Sequence, residues 1–100
     1  MNKIAVIGNP VVRSLSPLMH NAAFRHLGLD YSYGRVELAL GGLGGFCEMA
    51  RDEYAGFNVT VPFKTEIIKY LDTISPEAEF AESVNTVAVE NGKLRGYSTD

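Results

Sequence analysis

The sequence has a single cysteine, Cys47. One thiol cannot close an internal disulfide or build a multi-cysteine metal site, and this usage suits a reducing, cytoplasmic setting. The two histidines, His20 and His26, do not have the spacing of paired ligands on one helix face, so no metal site is expected. Long apolar runs are missing. The opening "MNKIAVIGNP" carries a run too short for a secretory leader and far too short to span a bilayer, so no membrane partner is expected. Excess positive charge is missing as well: the net charge is −3, which leaves no nucleic-acid footprint. Any anion bound here must be met locally, by hydroxyls, helix N–H groups and a few cations.

What is present reads as one domain. One hundred residues are enough chain for a modest core. "KIAVIG", residues 3–8, is a short buried strand. A helix over 16–28 follows, capped by Ser16, with Pro17 at its first position and Met19, Ala22, Ala23 and Leu27 as an apolar stripe. "YSYGRVEL", 31–38, is a second strand. Leu43, Phe46, Cys47 and Ala50 mark a second helix after Gly41-Gly42. "GFNVTV", 56–61, is a third strand. Pro62 then opens a helix to about Leu71, with Phe63, Ile67 and Leu71 facing inward, and Ser75-Pro76 starts another short one. Residues 84–90 and 93–97 flank Asn91-Gly92, a strong hairpin signal. Strands alternating with helices predict an α/β domain of three layers: a mostly parallel mixed sheet flanked by helices, with a C-terminal β-hairpin. The sequence stops at Asp100 directly after a strand, which reads as an abrupt end.

Four places could carry chemistry. In "RSLSPLMHNAAF", 13–24, Ser14 and Ser16 both precede a helix that needs one cap. They suit an anion at the positive end of a helix, although plain capping explains them as simply. In "NVTVPFK", 58–64, alternation puts Asn58 and Thr60 on one face and Val59 and Val61 on the other. Open α/β sheets bind ligands just beyond this end of a strand. Lys64 then falls in the first turn of the helix after Pro62, the wrong end of the dipole for a cation. Thr60 as a cap and Lys64 as a surface charge is the bland alternative. Asn85 in "VNT" and Asp100 in "GYSTD" are, taken alone, a turn residue and a terminal charge. "GGLGG", 41–45, has neither G-x-G-x-x-G nor the Walker pattern, so no nucleotide fingerprint is present.

Taken together, "GNPVVRSLSPLMHNAAF", "GFNVTVPFK" and "SVNTVAVENGKLRGYSTD", in this order, resemble the shikimate dehydrogenase family. The likeness covers essentially the whole chain and corresponds to that family's N-terminal substrate-binding domain. The resemblance implies that Ser14 and Ser16 bind the substrate carboxylate and that Lys64 and Asp100 are the catalytic pair. It also implies that Thr60 and Asn85 contact substrate, with Asn58 in the same motif. The implied reaction is reversible oxidation of shikimate to 3-dehydroshikimate with NADP. The cofactor domain is absent from these 100 residues, so the chain alone is expected to bind no NADP(H) and to be inactive. The alternatives are a quinate/shikimate enzyme, against which Ser16 rather than threonine weighs, and a stand-alone binding module. Shikimate is the expected small-molecule partner, and a second copy of the chain is a further candidate. Two departures stand out: Ser98 replaces a common asparagine, and Glu82-Ser83 replaces a common Gly-Ala.

Overall fold

The computed structural model describes residues 3–10, 21–23, 25, 27, 28 and 31–99. Its elements in chain order are β1 (Lys3–Gly8), β2 (Ser32–Glu37), α1 (Leu43–Glu53), β3 (Tyr54–Val59), a 3-10 helix (Glu66–Tyr70), β4 (Thr73–Ile74), α2 (Pro76–Ala81), β5 (Thr86–Glu90) and β6 (Lys93–Tyr97). The six strands form one sheet in the order β2-β1-β3-β5-β6-β4. β1 pairs in parallel with both β2 and β3, and β4 with β6; β5 runs antiparallel to its neighbours β3 and β6. The α/β architecture with its mostly parallel mixed sheet and closing hairpin is the one the alternation of strands and helices predicts.

The core is built where two periodicities meet. Ala5 and Ile7 of β1, Phe57 and Val59 of β3 and Val87 of β5 share one sheet face, because in-register neighbours and alternate residues point the same way. Leu43, Phe46, Cys47 and Ala50 recur at helical spacing on α1 and are all buried. The Phe46 ring meets Phe57 edge-on, with centroids 5.1 Å apart. Burial pushes the Cys47 thiol up to about 11, so it remains a neutral packing group. Gly44 lies inside α1, where an added Cβ would come within 3.1 Å of the Tyr70 ring. Gly44 therefore serves close packing, while Gly42 sits against the Ala39 backbone where the helix begins.

Arg51 ties the far end of the sheet together. It pairs with Asp72 at 2.7 Å and donates to the carbonyls of Gly92 and Tyr70. Asp72 also accepts from the Leu94 N–H, and these two donors hold its carboxyl below the ordinary range. The hairpin turn uses left-handed backbone at Asn91 (φ 53°) and Gly92 (φ 75°), as its sequence predicts.

Three local expectations fail, each for a tertiary reason. The segment after Pro62 forms turns and then the 3-10 helix, not an α-helix. An α-helix would need the Lys64 carbonyl to accept from Ile68; that carbonyl instead accepts from the Val84 N–H at 2.8 Å, and Ile68 turns back to Thr65. Phe63 and Ile67 are buried as expected, while Leu71 is only half-buried. Val61 is 59% exposed and does not share the core face with Val59, because β3 ends at Val59 and the chain turns away. Residues 21–23, 25 and 27 are helical and Gly28 is left-handed (φ 73°), but the expected stripe is not a core face. Ala22 and Ala23 are exposed and Leu27 is 67% exposed; Met19 lies outside the described residues. Among the described residues of this segment, the Asn21 side chain accepts from the Tyr33 N–H and donates to its carbonyl. The two-residue β4, too short to show a period, was not expected.

α2 follows its sequence closely. Ser75 caps it by accepting from the Ala78 N–H, and Pro76 opens it. The residue that caps its C-terminus, Glu82, is left-handed (φ 54°). A left-handed L-residue costs about 1–2 kcal/mol, of which glycine's greater freedom when unfolded returns about 0.5–1 kcal/mol. Glu82→Gly is therefore expected to stabilise the protein by about 0.5–1 kcal/mol, read as a higher urea midpoint at constant slope. An unchanged or lower midpoint would mean that the Glu82 side chain makes an interaction outweighing the backbone strain.

Candidate functional site

The C-terminal ends of β1 and β3 create a crest because their backbones are cross-tied there. Thr60 N–H donates to the Ile7 carbonyl, Asn9 N–H to Val61, Leu38 N–H to Gly8, and the Asn9 side chain to Leu38. Val59 N–H donates across to the Asn85 carbonyl, which anchors the start of β5 beside the end of β3. Asn58, Thr60 and Asn85 are half-buried along this crest.

Lys64 reaches the same place by a different route from the one its sequence suggests. It sits in a turn, half-buried, not in the first turn of a helix, so the helix-dipole argument for it does not hold. Its position is set by its own carbonyl, bonded to Val84 N–H immediately before Asn85. The Thr65 hydroxyl adds a second tie by donating to the Glu82 carbonyl at 3.2 Å. Thus the N-V-T-x-P-x-K turn and the V-N-T strand start are one hydrogen-bonded unit, although some twenty positions separate them in sequence.

Asn58 turns out to be a holding residue. Its Oδ1 accepts from the Tyr33 phenol at 2.5 Å, and its Nδ2 donates to the Asn85 carbonyl at 3.3 Å and to Thr86 Oγ1 at 3.2 Å. Both of its amide hydrogens are therefore spent within the protein. Asn85 Oδ1 accepts from Thr86 Oγ1, from Thr99 N–H and from Thr99 Oγ1. Those bonds fix the residue that precedes Asp100. Ser14, Ser16 and Asp100 themselves lie outside the described residues.

Sequence reasoning missed Tyr33, Thr86 and Thr99. Thr86 and Thr99 lie inside motifs already singled out, but a threonine beside an asparagine or an aspartate has no local mark of function. Tyr33 is 6% exposed. Burial raises its phenol above the ordinary value, so it stays protonated and donates. It sits on β2, with β1 between it and Asn58, and only sheet register brings the two together.

A separate open groove of roughly 600 Å³ is lined in part by Glu66, Lys69, Ile74, Glu79 and Glu82. None of the crest residues lines it. Three carboxylates against one ammonium make it a poor anion site, so the crest is the better candidate. Among the described residues no group of three histidine, cysteine, aspartate or glutamate side chains could hold a metal, and no helix is long and apolar enough to cross a membrane. The glycine-rich stretch 41–45 lies in a turn and the first residues of α1, with Gly44 against the Tyr70 ring.

Comparison with known proteins gives a consistent picture. The family described as the shikimate dehydrogenase substrate binding domain matches residues 6–87. The NADP(+) shikimate dehydrogenase of Alkaliphilus metalliredigens (strain QYMF) is 51% identical over 98 residues, covering 97% of this chain and 34% of that protein. Shikimate 5-dehydrogenase from Thermus thermophilus, solved in complex with shikimate, matches with TM-score 0.95 at 41% identity, over 99% of this chain and 38% of that one. The Listeria monocytogenes enzyme, solved with shikimate and NAD, gives TM-score 0.95 at 44% identity, over 100% of this chain and 35% of that one. The chain spans about a third of the length of the curated relatives it matches.

Proposed function

The chain belongs to the shikimate dehydrogenase substrate-binding domain family, and from that premise we propose that it is the substrate-binding part of a cytoplasmic enzyme that reversibly oxidises shikimate to 3-dehydroshikimate with NADP. The observation that carries the reading is the bond from Val84 N–H to the Lys64 carbonyl. It ties the backbone of the proposed proton-transfer lysine to the residue before Asn85, and the Asn85 side chain in turn accepts from the N–H of Thr99.

The chemistry suits the ligand. Shikimate is a small carboxylate with three ring hydroxyls, so it calls for donors at one end and mixed amide, hydroxyl and charged partners at the other. Ser14 and Ser16 are assigned to the carboxylate, Thr60 and Asn85 to ring hydroxyls. In the oxidation, the carbinol carbon gives up hydride and its oxygen gives up a proton. Lys64, oriented by Asp100, takes the proton from that oxygen. NADP supplies the hydride acceptor, and its site belongs to the remainder of a longer protein. This chain alone is expected to bind shikimate weakly, to bind no NADP(H) and to turn nothing over, because the cleft is not closed and water is not excluded.

Shikimate titration by calorimetry tests the assignment. Each charge-assisted hydroxyl–carboxylate bond is worth about 1.5–3 kcal/mol. Ser14→Ala combined with Ser16→Ala should therefore weaken binding by roughly 100-fold or more while the far-UV spectrum is kept. Equal affinity in the double variant would return both serines to helix capping. A wild-type full-length protein that neither binds nor oxidises shikimate would overturn the reading itself.

A further inference from the structure

The crest carries exposed apolar surface as well as polar groups. Leu40 is 67% exposed and Val61 59% exposed, and Pro10, Ala39 and Pro62 are exposed beside them in sequence. Strand order gathers all five at one end of the sheet. β2 and β3 flank β1, and these residues lie in the three segments that follow those strands. Asn9 laces the segments together: its N–H donates to the Val61 carbonyl at 2.9 Å and its side chain to the Leu38 carbonyl at 2.8 Å. Two strand spacings, about 10 Å, separate the strand that leads to Leu40 from the strand that leads to Val61. Neither side chain belongs to the core cluster. Large apolar side chains held in place beside Thr60, and not used by the core, mark a contact surface.

The chemistry of the reaction says what covers this surface. The chain passes from β1 to β2 on one side and then to β3 on the other, so the sheet order reverses at β1 and a ligand sits beyond its C-terminal end. Hydride transfer needs the reacting atoms about 3–3.5 Å apart, with water excluded. The chain spans about a third of the length of its curated relatives, and the NADP site is assigned to the remainder. Whatever carries the nicotinamide must therefore come down onto the crest. A second copy of this chain seated there would cover Thr60 and bring no hydride acceptor. We propose that Leu40 and Val61 are the docking contacts for the cofactor-bearing part of the full-length enzyme: two apolar points, one on each side of β1, that set how far the nicotinamide stands from the substrate. The proposal rests on the shikimate dehydrogenase reading given above. Substrate binding by this chain does not need the two side chains, but turnover does. A charged group at either point stops the closing part from seating, and a misplacement of about 1 Å costs on the order of 100-fold in rate.

The test uses the full-length enzyme. Leu40→Asp and Val61→Asp should each lower kcat by about tenfold or more, while the shikimate dissociation constant measured without NADP stays within about twofold of wild type. The conservative Leu40→Met and Val61→Ile should keep kcat within about twofold. Wild-type kcat in both aspartate variants would overturn the proposal, as would a loss of shikimate affinity as large as the loss of kcat. A second readout needs no substrate. With photoreactive benzoylphenylalanine in place of Leu40, light should join residue 40 to a peptide from beyond residue 100 of the same molecule, at every protein concentration. Adducts confined to residues 1–100, adducts with a second molecule, or no adduct would each overturn the docking. If the wild-type enzyme does not use shikimate, the function reading fails, and the cross-link still decides what covers Leu40.

Discussion

Lys64→Met in the full-length enzyme is expected to lower kcat by roughly 10²–10⁴-fold, the usual contribution of a positioned proton-transfer group. Methionine keeps an unbranched stem of similar reach and loses only the ammonium. The fold should survive because two bonds that anchor this turn remain: the Lys64 carbonyl to Val84 N–H and the Thr65 hydroxyl to the Glu82 carbonyl. Neither bond involves the lysine side chain. If the residue acted only in binding, KM would rise with kcat little changed. Steady-state kinetics with thermal unfolding as the control separate the cases, and wild-type kcat in a well-folded variant would remove Lys64 from the mechanism.

The largest expected effect on stability is at Phe57. It is 1% exposed, stacked edge-on against Phe46 and in register with Ala5 and Val87. Phe57→Ala removes that contact and leaves a cavity between a strand and a helix that backbone hydrogen bonds hold in place, so collapse can fill little of it. The expected loss is about 3–5 kcal/mol, a large share of the roughly 5–15 kcal/mol typical of such a domain. Urea unfolding followed by circular dichroism should show the midpoint falling by about 1 M or more with little change in slope. Phe80, 93% exposed, is the internal control: Phe80→Ala should stay within about 0.5 kcal/mol. A loss below about 1 kcal/mol at Phe57 would show that the two layers can close over the gap.

Much of this was legible in the amino-acid order because local physics specified it. β1, the α1 stripe, the Ser75-Pro76 start and the Asn91-Gly92 turn each depend on a side-chain period or a backbone preference that a few consecutive residues express. Thr60 stood out in the sequence as a polar group at a strand end and Lys64 by its place after Pro62, while Asn85 was singled out only through the family resemblance. Other features depended on partners that no window of sequence contains. Lys64 lies in a turn because a distant N–H takes its carbonyl. Val61 is exposed because β3 ends before it. In the helical segment through Leu27, Asn21 bonds to the backbone of Tyr33 on the edge strand β2. Asn58 became a holding residue only when β2 brought Tyr33 to it across β1. The sequence alone determined the α/β class, the positions of most elements and the residue types at the site. Tertiary structure decided which of those polar groups spend their hydrogen bonds on one another, since register between strands distant in sequence sets who can donate to whom.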